Sequence, residues 1–279
     1  MFKKIIPILA IAVVSIPFSS CKKKGCTDEK AINYNESSKK EDGSCTYHPQ
    51  ITLSFSHNFG GTNVSSANFD KMDFTNENGE QMSFTKLRYS ISDVRFFLSS
   101  GDSVLLDGYH LVDLKDQTTL EYLLPEYLKA DTYTGIAFNF GFTEADNTSG
   151  AYTDLNEASW SWPSMLGGGY HQMQLEGRFI ETGGSTLSYQ FHMGSRIRKI
   201  VDDVTTFHPN YLYVPLANSD FTLSKDAKIE LKMDIAEWFK SPNTWDLNTY
   251  YKLLMSNYDA QIMMQENGPT VFSLGAITQ

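Results

Sequence analysis

A period of two in the hydrophobic pattern sets the narrowest limit on the architecture of this chain. Ile51, Leu53, Phe55, His57 and Phe59 fall on one side of an extended segment, and Thr52, Ser54, Ser56 and Asn58 fall on the other. Ile229, Leu231, Met233 and Ile235 alternate in the same way with Lys228, Glu230, Lys232 and Asp234. Successive side chains of a β-strand point to opposite faces, so these runs specify half-buried strands. Leu87, Tyr89 and Ile91 also alternate, and then the phase moves to Val94, Phe96 and Leu98, which predicts a bulge near Ser92-Asp93. Further strands are expected over 109–114, 136–140, 170–179, 187–193 and 211–216, with a turn at Gly183-Gly184 joining the third and fourth of these. Two stretches read as helical: 120–129, with a turn around Pro125, and 248–266, the clearer one, stopped by Asn267-Gly268-Pro269 near the C-terminus. Many short strands with one or two helices predict a mainly all-β protein, an antiparallel β-sandwich.

The chain opens with an export signal. Lys3 and Lys4 precede an apolar run from Ile5 to Phe18, too short for the roughly 20 residues of a membrane helix. The run ends Phe18-Ser19-Ser20-Cys21, which resembles a bacterial lipobox and makes Cys21 the expected lipidation site and mature N-terminus. The expected organisation is a signal over 1–20, a linker and small module over 21–48, and the main domain over 49–279. The expected location is the cell envelope, with the lipid as the membrane anchor. Outside the cytoplasm, Cys26 and Cys45, which enclose a short polar loop, favour a disulfide. The run from Gly25 to Asn35, with Glu41-Asp42-Gly43-Ser44-Cys45, also resembles a small disulfide-closed spacer module common in exported Bacteroidetes proteins. Its polar residues lack EF-hand spacing and read as turn formers.

Charge and motifs narrow the function. With 23 Lys and Arg against 33 Asp and Glu, the net charge of −10 repels phosphate backbones and argues against nucleic-acid binding. The sequence holds no G-x-S-x-G, H-E-x-x-H, Walker or G-x-G-x-x-G motif, so no enzyme is expected. His57 sits on the apolar side of its strand. His192 lies opposite Tyr189 and Phe191, and His171 shares a face with Met173. Imidazoles with thioethers nearby suit Cu(I), and also zinc. His48, His110 and His208 read as solvated. Trp160-Ser161-Trp162 places two large rings on one side of a strand end, which fits aromatic packing or a sugar platform.

An ordered set of stretches over residues 51–275 resembles the MbnP-like family of exported copper-binding proteins. The set comprises Phe55-Ser56-His57-Asn58-Phe59-Gly60, Phe84 through Arg95, Leu111-Val112-Asp113, the Gly141 region, Trp160-Ser161-Trp162, Gly169-Tyr170 with Leu175-Glu176-Gly177, Phe191-His192-Met193-Gly194, and Asn267 through Phe272. The resemblance implies copper held by two histidines and a kynurenine made from tryptophan by a partner, a di-haem oxidase resembling MauG. By position it makes His57 and His192 the ligand candidates, and Trp160 or Trp162 the candidate for modification. His171 stands where relatives are expected to be apolar and is a candidate added ligand. Pro163 to Gly168 lengthen the link between the Trp pair and Gly169-Tyr170. Two alternatives stand beside copper handling: a surface module binding carbohydrate or protein, and a structural envelope lipoprotein.

Overall fold

β-Branched and aromatic residues spaced two apart need a pleated surface with one buried side, and the alternating runs form strands of that kind. The structure, a computed structural model, describes residues 23–279, so the export signal and Cys21 lie outside the described residues. The described strands are β1 (Ile51–Phe59), β2 (Thr62–Asn63), β3 (Phe74–Thr75), β4 (Gln81–Leu98), β5 (Ser103–Asp113), β6 (Glu121–Leu123), β7 (Asp131–Phe140), β8 (Met173–Ile180), β9 (Thr186–Met193), β10 (Arg196–Val201), β11 (Val204–Pro209), β12 (Leu212–Leu216), β13 (Phe221–Leu223), β14 (Ala227–Asp234) and β15 (Phe272–Thr278). The α-helices are α1 (Thr153–Glu157) and α2 (Tyr258–Asn267).

One sheet runs β15-β14-β1-β2 with β6 also on β1. The other runs β12-β7-β4-β8-β9, with β13 beside β7 and β3 and β5 beside β4. The two form a sandwich whose core takes Leu53 and Phe55 from β1, Ile229 and Leu231 from β14, Tyr89 and Ile91 from β4, and Leu175 and Phe191 from β8 and β9. The pairings are antiparallel except that β1 and β14 run parallel.

β4 organises the larger sheet. Along one edge it pairs first with β8, from Met82 to Tyr89, and then with β7, from Ile91 to Leu98. The change of partner falls at the predicted bulge: the register shifts between Ser92 and Val94, and Asp93 takes a left-handed φ of 54°. The chain therefore leaves the sheet at Phe140 and returns to the same edge at Met173. Everything between is an excursion laid against the outer face, away from the sandwich core. It builds its own apolar cluster from Phe142, Leu155, Trp160 and Tyr170.

Three local expectations are corrected. Residues 120–129 do not form a helix, because Glu121–Leu123 is captured as a strand by β1, with Leu53 opposite Tyr122. The C-terminal helix starts at Tyr258, not near 248. Asn257 caps it by accepting from the Ala260 N–H, and Leu253, at φ 58°, cannot lie within a helix. Residues 196–209, read as no element, form the hairpin β10–β11.

The described chain divides into two compact units, the first ending at Tyr47 and the second His48–Gln279. The first is closed by the Cys26–Cys45 disulfide. Its acidic groups make turns, as expected: Glu41 accepts from the N–H groups of Thr27, Asp42 and Gly43, and Asp28 accepts from Lys30 and from the Tyr47 hydroxyl. Glu41 also lies close to both cysteine sulfurs, but these are bonded to each other and offer no thiolate.

Candidate metal centre

The outer face of the larger sheet is set by strand parity. Tyr89 lies opposite Met173 and Met173 opposite Met193, and all three point into the sandwich core. The neighbouring set, Arg88, Gln174 and His192, therefore points outward beneath the excursion. Glu176, two residues along β8, is on that same face. Its Oε1 accepts from Lys86 Nζ at 2.8 Å and from His192 Nε2 at 2.8 Å. These two bonds, the His192 one foremost, hold the Glu176 carboxyl down to about 2, so it is a carboxylate under all ordinary conditions.

The excursion brings the Trp pair and His171 to this spot. Ser161 bridges Tyr170 in antiparallel fashion, the Trp162 N–H donates to the Gly169 carbonyl, and the His171 N–H donates to the Trp160 carbonyl. Gly167, Gly168 and Gly169 carry φ values of 106°, 68° and 86°, a left-handed run that only glycine adopts freely, and it turns the chain back toward Tyr170. The lengthened link has a structural use: it places the Leu166 carbonyl where Trp162 Nε1–H donates to it. The His171 ring then lies 5.5 Å from Trp160, 5.0 Å from Trp162 and 5.4 Å from His192, centroid to centroid. Gly194 lets Trp162 approach, since a Cβ there would stand 2.1 Å from the indole ring.

Hydrogen bonds fix which ring nitrogens are free. His171 Nδ1 lies 2.9 Å from the Trp160 carbonyl oxygen. A carbonyl only accepts, so Nδ1 carries the proton and Nε2 keeps its lone pair. That Nε2 is buried and has no hydrogen-bond partner. Burial also pushes the His171 pKa down to about 4, which leaves the ring neutral near pH 7. On His192, Nε2–H donates to the Glu176 carboxylate, so Nδ1 is the nitrogen left for a ligand. Trp160 Nε1 is a second buried atom without a partner. Arg88 stacks on the Trp160 ring at 5.0 Å and donates from Nη1 to the Ala158 carbonyl, which fixes that indole from above. Gln261 of α2 donates from Nε2 to the His192 carbonyl and accepts on Oε1 from the Gly194 N–H, pinning the end of β9.

The structure thus brings together four of the five residues singled out for the centre: His171, His192, Trp160 and Trp162. It does not bring His57 to them. His57 projects from β1 into the sandwich core, where Nε2 lies 3.1 Å from the Tyr89 hydroxyl, and Tyr89 faces away from His192 across β4 and β8. Desolvation holds His57 down to about 4. The pairing of His57 with His192 on one ion is absent from this geometry. His110 is also not solvated: it stacks between Phe55 and Tyr122, with Nε2 2.7 Å from the Thr119 carbonyl oxygen. Sequence reasoning missed Glu176 as a partner of His192. The Gly183-Gly184 turn carried the signal, because it fixes the hairpin register that puts both on one face.

Comparison with known proteins agrees with this architecture. Residues 48–264 match the model of the MbnP family. Among solved structures, MbnP from Methylosinus trichosporium superposes with a TM-score of 0.51 at 15% identity, over 81% of this chain and 98% of that one, which shows a shared fold. No curated protein matches the chain. With the family model spanning most of its length, this chain belongs to the MbnP family.

Proposed function

We propose that this chain is an envelope protein that binds copper, as Cu(I), at the His171–His192 pair, for acquisition or handling of the metal and without catalytic turnover. One observation carries the reading: His171 Nε2 is buried and unpartnered on a ring whose other nitrogen is fixed as N–H by the Trp160 carbonyl. Leaving a buried polar atom unmatched costs about 1–3 kcal/mol, which a bound ion would offset. Two imidazoles in a nearly dry pocket are donors for a soft, low-coordinate cation. The Glu176 carboxylate on His192 and the Trp160 carbonyl on His171 orient both rings, as hydrogen-bonded partners of metal ligands do elsewhere.

Trp160 is the better candidate for conversion to kynurenine. Its Nε1 is buried without an acceptor, whereas Trp162 Nε1 is bonded to Leu166. Conversion would exchange an indole N–H, a donor only, for an amine with a lone pair beside His171. A di-haem partner of the MauG type would catalyse the oxidation with peroxide as oxidant, two oxygen atoms entering as the pyrrole ring opens and its C2 leaving as formate, and a lipid at Cys21 would hold the protein at the membrane. Among the described residues no helix is long and apolar enough to cross one.

The test is the copper retained after dialysis of protein from its native host. His171→Ala and His192→Ala should each lose it, and His57→Ala should keep it. Retention in the first two with loss in the third would reject this ligand set. Intact mass should show one carbon exchanged for one oxygen, lost on Trp160→Phe. A second reading has one observation in its favour, an open cleft of about 610 Å³ lined by Tyr109, Tyr152, Tyr213 and Asp93. Glycan-array binding that falls on Tyr213→Ala and ignores chelators would support it. A tryptophan sugar platform is not available, since Trp160, Trp162, Trp238 and Trp245 are all buried.

A further inference from the structure

A cavity of about 400 Å³ is lined in part by His192 and by two methionines. Met165 belongs to the 3-10 turn Ser164–Leu166 and Met255 to the 3-10 turn Leu254–Ser256. Both turns are tied to the imidazole pair by single side chains. Trp162, in ring contact with His171, donates to the Leu166 carbonyl next to Met165. Gln261 Nε2 lies within bonding distance of both the His192 carbonyl, at 2.8 Å, and the Leu254 carbonyl beside Met255, at 3.1 Å. Met165 is 73% exposed, so its thioether is not there to fill a core.

The donors facing this cavity are soft or neutral. Besides the two thioethers they are Gln190 and Ser256; His192 forms part of the wall, and Arg198 supplies the one charge, a positive one. No carboxylate lines it, so Ca²⁺ or Mg²⁺, which take oxygen ligands and carboxylates above all, finds no site. Thioethers, as soft ligands, favour Cu(I). We propose that Met165 and Met255, on the cavity wall beside His192, form a thioether entry site that captures Cu(I) and passes it inward to the His171–His192 pair. The inference rests on the metal-binding reading of that pair. The methionines capture and release; the imidazoles retain.

The experiment uses the full chain carrying methyl-labelled methionine, titrated with Ag(I) as a redox-inert stand-in for Cu(I), together with Cu(I) loading from a bathocuproine disulfonate complex. The methyl signals of Met165 and Met255, assigned by Met165→Leu and Met255→Leu, should shift on adding Ag(I). The double Leu variant keeps side-chain volume, so it should fold, reach the same final copper content and load about tenfold more slowly. Unmoved methyl signals with wild-type loading in the double variant would overturn the entry site while leaving the imidazole site standing. Shifted signals with no metal retained after dialysis would support the thioether site and reject the imidazole one.

Discussion

His171 and His57 are both buried, neutral histidines, and their surroundings give them different fates. His57 is satisfied by the Tyr89 hydroxyl, and His171 has a lone pair with nothing to meet it. His57 therefore bears on stability. Its folded pKa, about 4, lies below the ordinary 6.5, so between these values the unfolded chain takes up a proton that the folded one refuses. Stability should fall as pH drops through that window, by at most about 1.4 kcal/mol per pH unit from this group. Urea midpoints from pH 7 to 4 should show a shallower fall in His57→Gln, and an unchanged slope would refute the assignment. At the centre, Glu176→Ala removes the acceptor that orients His192. Copper affinity should drop about 10–100-fold by competition with a chelator, with the folded state kept.

At the scale of elements, the β8–β9 hairpin and the excursion between β7 and β8 make the centre jointly, and Gly194 is where they touch. In Gly194→Ala the new methyl would meet the Trp162 ring, and either the indole or β9 must move. A loss of about 1–3 kcal/mol in chemical denaturation is expected, as for other overpacked sites, together with weakened metal retention. Wild-type stability and retention in this variant would mean that the close approach does not hold. Gln261 acts similarly from α2, because its one amide serves β9 and the turn at Leu254. Gln261→Leu leaves the Gly194 N–H without that acceptor, and a cost of about 1–3 kcal/mol should appear in the same measurement.

Across the whole molecule, the disulfide unit and the sandwich form separate compact units. Cys26→Ser with Cys45→Ser should therefore leave the main calorimetric transition and the copper content of the sandwich as they are. A clear drop in either would show that the first unit supports the second.

Much of the sandwich was legible before any coordinates. The alternation in β1 and β14, the phase slip at Asp93 and the turn at Gly183-Gly184 are local patterns, and a strand's two-residue repeat translates them directly into faces and registers. The centre was legible only in part. His192, His171 and the Trp pair stood out by residue type, and parity already put His57 on an apolar face and His192 on the face opposite Tyr189 and Phe191, but a sequence does not show which strand or loop each face meets. What separated them was the tertiary arrangement: β1, paired with β14, sends His57 to the Tyr89 hydroxyl in the core, whereas β8 and β9 present Glu176 and His192 to the excursion between β7 and β8. Local alternation carries no information about which strand lies across the edge, and that partner decides which imidazoles can meet.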